Sequence, residues 1–139
     1  MAESLNHVAL LQRLFDYVQG TMNGKQHLAI LHDLPAAIGC EKPPSIGAFR
    51  PDLYASDAPT TRVIIGEAKT AQDLETPHSR QQINAYAQHL AMYPGSTFIL
   101  AVPWHLRGRA HALMSQAVVS ACADQITLVV IDDLQEMPR

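Results

Sequence analysis

Leu5, Val8, Leu11, Phe15 and Val18 recur at steps of three and four, the spacing that lines one face of a helix. The pattern predicts a helix over residues 4–18, with Ser4 as N-cap and Gly20 and Gly24 beyond its end. Residues 27–34 are a short apolar segment, predicted as a strand and stopped by Pro35. Gly39, Pro43, Pro44 and Gly47 make residues 36–49 a loop. A second strand over 52–56 opens after Pro51, where a missing N–H costs no ladder bond of consequence. Residues 57–60 read as a turn and 62–69 as a third strand. A helix over 77–92 carries the stripe Ile83, Tyr86, Ala87 and Leu90 and ends at Pro94-Gly95; Thr76 or Pro77 opens it. Residues 97–102 form a fourth strand, 107–123 a helix, and 126–131 a fifth strand before an acidic tail.

The order is α-β-β-β-α-β-α-β. It predicts an α/β sandwich: an antiparallel meander followed by crossover units whose strands are apolar enough to be covered on both faces. The length, 139 residues, fits one domain spanning 1–139, and 47% apolar content supplies a core. No apolar run approaches the ~20 residues that span a bilayer, so no membrane partner is expected. Residues 1–7 lack a basic region followed by an apolar block, which points to a cytoplasmic location. Cys40 and Cys122, without a CxxC, are expected as buried reduced thiols. The seven histidines show no HExxH spacing, so zinc is not expected.

The net charge of −3 argues against a surface that is basic throughout. However, Arg50, Arg62, Lys69, Arg80, Arg107 and Arg109 all fall in the middle of the chain, where a local positive surface can form.

Residues 62–70 change the picture. The run Val63-Ile64-Ile65 reads as a core strand, yet it leads into Glu67-Ala68-Lys69. Strand alternation puts Glu67 and Lys69 on one face, where two charges are costly unless paired. Asp52 precedes Glu67 by 15 positions, enough for a strand, a turn and a return, so it can come level with Glu67 on an antiparallel neighbour. Two carboxylates and an ammonium then converge at one sheet edge, and hard oxygen ligands in that arrangement suit Mg2+, or Mn2+ in its place, together with water and phosphate.

Pro51-Asp52 followed by Glu67-Ala68-Lys69 resembles the PD-(D/E)xK signature of restriction-endonuclease-like nucleases. The element order over residues 1–103 is similar to their shared core. Gln82 to Tyr86 resembles the QxxxY element of part of that superfamily, with both side chains on one helix face. The resemblance implies a restriction-endonuclease-like sandwich with a mixed sheet of about five strands flanked by helices. It implies that Asp52, Glu67 and the Ala68 carbonyl hold the metal, and that Lys69 orients or activates the attacking water. Gln82 would position Lys69, water or phosphate. Some members add a Glu from the first helix, which here leaves only Glu3.

Simpler readings exist for each residue. Glu67 and Lys69 would be an exposed strand-end ion pair and Asp52 a turn acid, but that leaves the apolar run unexplained. Gln82 would be solvated and Tyr86 a core ring. Arg80, in the first helical turn, is unfavourable for the helix dipole and so a candidate nucleic-acid contact, as are Tyr86, Arg107 and Arg109. Two arginines at a helix N-terminus call for a phosphate or another partner. Trp104 before them reads as capping the core. Asp33, at the end of the first strand, is within possible reach of the site but is more simply a turn residue.

The expected activity is a Mg2+-dependent nuclease hydrolysing phosphodiester bonds, DNA foremost, acting as a homodimer or within a larger complex. The alternative is a nuclease-fold module with little or no catalysis that binds nucleic acid or protein. A weaker third reading is action on a small phosphorylated ligand.

Overall fold

The computed structural model describes residues 5–22, 29–32, 42–57, 60–123 and 125–133. Helix α1, Leu5–Tyr17, runs into a π-helical turn, Val18–Met22. Strands β1 (Ala29–His32), β2 (Leu53–Ser56) and β3 (Val63–Ala68) follow. Then come α2 (Pro77–Leu90), β4 (Thr97–Val102), a 3-10 turn (Trp104–Leu106), α3 (Arg107–Ser120) and β5 (Thr127–Asp132). This is the order expected from the hydrophobic pattern. The expected Ser4 cap and Gly24 lie outside the described residues.

The five strands form one mixed sheet in sequential order, β1-β2-β3-β4-β5. The first three pair antiparallel, and β3, β4 and β5 pair parallel through the crossovers carrying α2 and α3. One face is covered by α1, whose Leu10, Leu11 and Leu14 pack on Leu53, Ile64, Ala68 and Ile99. The other is covered by α2 and α3, where Ile83, Tyr86, Leu90 and Met114 meet Val63, Ile65, Phe98 and Leu100. Every residue of β3 and β4 is buried as a result, which is why both read as unbroken apolar runs. Among the described residues, no helix is long and apolar enough to cross a membrane.

Gly66 sets how closely α1 lies on the sheet. A Cβ there would come within 2.7 Å of Leu14 Cδ1, so the helix seats a leucine where β3 has no side chain. The register between β2 and β3 pairs Leu53 with Gly66, and the next step outward carries Asp52 to Glu67. The β2–β3 hairpin is held by Asp57, whose Oδ1 accepts from the N–H groups of Thr61 (2.8 Å) and Arg62 (2.9 Å). At α2 the expected cap is present: Thr76 Oγ1 accepts from Ser79 N at 3.1 Å.

Three expectations need correction. The third helix ends at Ser120 rather than at 123. Cys122 takes a left-handed φ of 56°, and Cys122 N and Ala123 N donate back to the carbonyls of Val119 (3.1 Å) and Val118 (2.9 Å). This is a Schellman stop, with Val118 and Ala123 buried together in the core, and it has a cysteine where glycine is usual. Cys122 is consequently exposed, not a buried thiol; Cys40 lies outside the described residues. Trp104 does not cap the core, being 56% exposed on the turn before α3.

Candidate active site

The end of the β2–β3 pair is closed by side chains. Asp52 N donates to Glu67 Oε1 at 3.0 Å, and Ala68 N donates to Asp52 Oδ2 at 2.9 Å. Each carboxylate thus takes a backbone N–H of the opposite strand, past the last regular ladder bond. Lys69 is fixed from the other side. Its N–H donates to Ala101 O at 2.9 Å, which continues the β3–β4 pairing one residue beyond the strand. Lys69 Nζ donates to Gln82 Oε1 on α2 and lies 3.9 Å from Glu67 Oε2. From α1, His7 Nε2 approaches Asp52 Oδ2 to 3.4 Å. Four elements therefore bring Asp52, Glu67, Lys69, Gln82 and His7 to one place.

Alternation along β3 explains the arrangement. Val63 and Ile65 belong to the layer under α2 and α3, and Glu67 continues that face, toward the helix that carries Gln82 and Tyr86. Ile64 and Ala68 face α1 with Gly66 between them, and Ala68 is buried there. Ala68 joins the site through its backbone.

Among the described residues, the two carboxylates face one ammonium, that of Lys69, and the His7 imidazole. Glu67 is 4% exposed and Lys69 7%. Burial pushes the Glu67 carboxyl well above the ordinary carboxylate range, and the neighbouring Asp52 pushes it further, against the opposing pull of Lys69. Tyr86, fully buried beneath, has its phenol raised by burial and then by the Glu67 and Asp52 charges. Its ring meets Phe98 edge-on at 6.2 Å. The Tyr86 hydroxyl and Ser79 Oγ, both on this face of α2, are buried without a hydrogen-bond partner among the described residues.

Among the described residues, two carboxylates against one ammonium leave a place where a cation is favourable. Mg2+ needs only one or two carboxylates, its other positions going to water and phosphate, so the donor set fits. Among the described residues, no cluster of three or more His, Cys, Asp or Glu forms a fuller metal cage.

The remaining predicted residues are placed elsewhere. Arg80 is exposed in the first turn of α2, on a groove of about 180 Å3 between α2 and α3 that Asn84 and Gln116 also line. Arg107 pairs with Asp132 Oδ2 at 3.0 Å and also donates to Val130 O at 3.1 Å. Arg109 pairs with Glu75. The cations at the start of α3 are thus compensated by carboxylates of this chain. Glu3 and Asp33 lie outside the described residues. His7 was missed by sequence reasoning. Its position in the first turn of a helix carries no chemical signature until the sheet brings Asp52 beneath it.

Compared with known protein families, curated proteins and solved structures, the chain has no significant match.

Proposed function

We propose that the protein is a Mg2+-dependent phosphodiesterase of the PD-(D/E)xK type, with a restriction-endonuclease-like fold, that hydrolyses nucleic acid, DNA foremost. The observation that carries this reading is the environment of Lys69. Its ammonium is buried, held by Gln82, beside Glu67 and across the strand pair from Asp52. A structural ion pair needs no such support from a third element, whereas a fixed cation facing two carboxylates is what phosphoryl transfer uses. The antiparallel-then-parallel sheet with one helix on one face and two on the other supports the fold part of the proposal.

Asp52 and Glu67 would hold the ion with the Ala68 carbonyl. When bound, Mg2+ polarises the phosphoryl group and acidifies water. The rest falls to the chain. Lys69, kept from swinging by Gln82, orients the attacking water and stabilises charge that builds on the phosphoryl oxygens. His7 fixes the orientation of Asp52 from the α1 side. Burial beneath the site, with the Tyr86 ring as its floor, keeps the local dielectric low and strengthens each of these interactions. A chain of 139 residues covers little of a duplex, so a homodimer or a larger partner supplies specificity.

The second reading is a nuclease-fold module that binds nucleic acid or protein without cleaving. The observation that favours it is the reciprocal bonding of Asp52 and Glu67 to backbone N–H groups, which a purely structural clamp would also show. Calorimetric titration with Mn2+ separates the two. The nuclease reading predicts a binding heat that Asp52→Ala removes; a structural clamp predicts no Mn2+ heat in either protein.

A further inference from the structure

At the same strand-end edge of the sheet, on the α1 side, is a cleft of about 350 Å3 that none of Asp52, Glu67, Lys69 and Gln82 lines. Its walls come from the N-terminal turn of α1 (Asn6) and from the segments that leave β3, β4 and β5: Thr70, Trp104 with His105, and Asp133. In parallel sheets this strand-end edge is where ligands seat. The cleft adjoins the site through the chain itself, because Thr70 follows Lys69 and Asn6 precedes His7. Its volume is at the lower end for small-ligand pockets.

We propose that this cleft seats one unpaired base of a single-stranded nucleic acid, stacked on Trp104, next to the phosphate held at Lys69. The inference rests on the nuclease reading for its placement of the phosphate. Trp104 is 56% exposed at the mouth of the cleft. Its backbone N–H donates to Asp133 Oδ1 at 2.8 Å, which fixes the main chain there, and its ring meets His105 edge-on with centroids 5.8 Å apart. An exposed indole on an anchored stretch of backbone presents a π face, which any unpaired base can use. Bases within a duplex already have both faces stacked on neighbours and cannot reach it without being turned out.

The charge of the cleft supports a base rather than a phosphate. Among the described residues, no lysine or arginine lines it, and Asp133 does. A backbone phosphate would be repelled there, whereas Asn6 and His105 offer polar groups to a base edge. Phosphate and base would therefore be divided between two adjoining places, the first at Lys69 and the second at Trp104.

Trp104 is the sole tryptophan of the chain, so its fluorescence reports on this cleft alone. In EDTA, an oligothymidylate should quench it saturably, and a blunt duplex should not. Trp104→Ala should weaken binding of the fluorescein-labelled oligothymidylate roughly tenfold by anisotropy, with Trp104→Phe recovering most of the loss. The ring is largely exposed, so neither variant should alter the circular dichroism spectrum. Equal quenching by duplex, or no quenching by the single strand, overturns the inference. If quenching is absent while Mg2+-dependent cleavage is present and lost in Lys69→Ala, the stacking seat is wrong and the activity stands. If the single strand quenches but cleavage is indifferent to Lys69→Ala, the activity is wrong and the seat stands.

Discussion

Asp52 donates its backbone N–H to Glu67 Oε1 at 3.0 Å, and its own Oδ2 accepts the N–H of Ala68 at 2.9 Å. The two carboxylates thus tie β2 to β3 past the end of the regular ladder, and the same atoms are the candidate metal ligands. Structure and function can be separated by the choice of substitution. Asp52→Ala leaves the buried Ala68 N–H unpaired and should cost about 1–3 kcal/mol. Asp52→Asn keeps an acceptor and should cost much less in urea denaturation. Both variants should lose Mn2+ binding.

Glu67 is a buried carboxylate whose charge is opposed by burial and by Asp52. Glu67→Gln keeps the acceptor for Asp52 N and removes the charge. Because burial and Asp52 oppose the Glu67 charge by more than Lys69 favours it, the variant should melt higher than wild type in EDTA, each kcal/mol gained appearing as a shift of roughly 3 °C. Adding Mg2+ should raise the melting temperature of wild type and leave that of Glu67→Gln unchanged.

Gly66 lies under Leu14, and an added Cβ would meet Cδ1 at 2.7 Å and Cγ at 3.1 Å. Leu14 is fully buried and cannot swing away freely. Gly66→Ala should destabilise by about 1–3 kcal/mol. Leu14→Ala should offset part of that loss, so the double variant should be more stable than the sum of the two single changes predicts.

His89 sits on α2 with Nε2 2.9 Å from the Tyr54 hydroxyl, and burial lowers its pKa below the ordinary 6.5. The folded chain then binds fewer protons here than the unfolded chain, so stability falls as pH drops below about 6.5. His89→Gln keeps a partner for Tyr54 and removes the titration. Its stability should be flatter than that of wild type between about pH 7 and pH 5, measured by denaturant titration.

Much of this molecule was legible in its hydrophobic pattern. The order of elements and the stripe Ile83, Tyr86, Ala87 and Leu90 followed from periodicity, because α2 buries one face only. The level placement of Asp52 and Glu67 followed from the spacing and the alternation of strands. What stayed hidden depended on contacts between distant segments. His7 joins Asp52 only because Gly66 lets α1 lie close to β3. Arg107 and Arg109 looked like phosphate contacts because Asp132 and Glu75, their partners, are far away in sequence. The end of α3 was misplaced because Cys122 occupies a left-handed position that glycine usually marks.

A catalytic Lys69 and a structural ion pair at Lys69 predict opposite results when the ammonium is removed. Cleavage of linear, circular, branched and RNA substrates in Mg2+ and in Mn2+, with wild type and Lys69→Ala side by side, separates the two most directly. Wild type should cleave at least one DNA substrate only when the metal is present, and Lys69→Ala should be slower by on the order of 100-fold or more at unchanged circular dichroism. Cleavage by Lys69→Ala at the wild-type rate would show that the Lys69 ammonium takes no part in the chemistry.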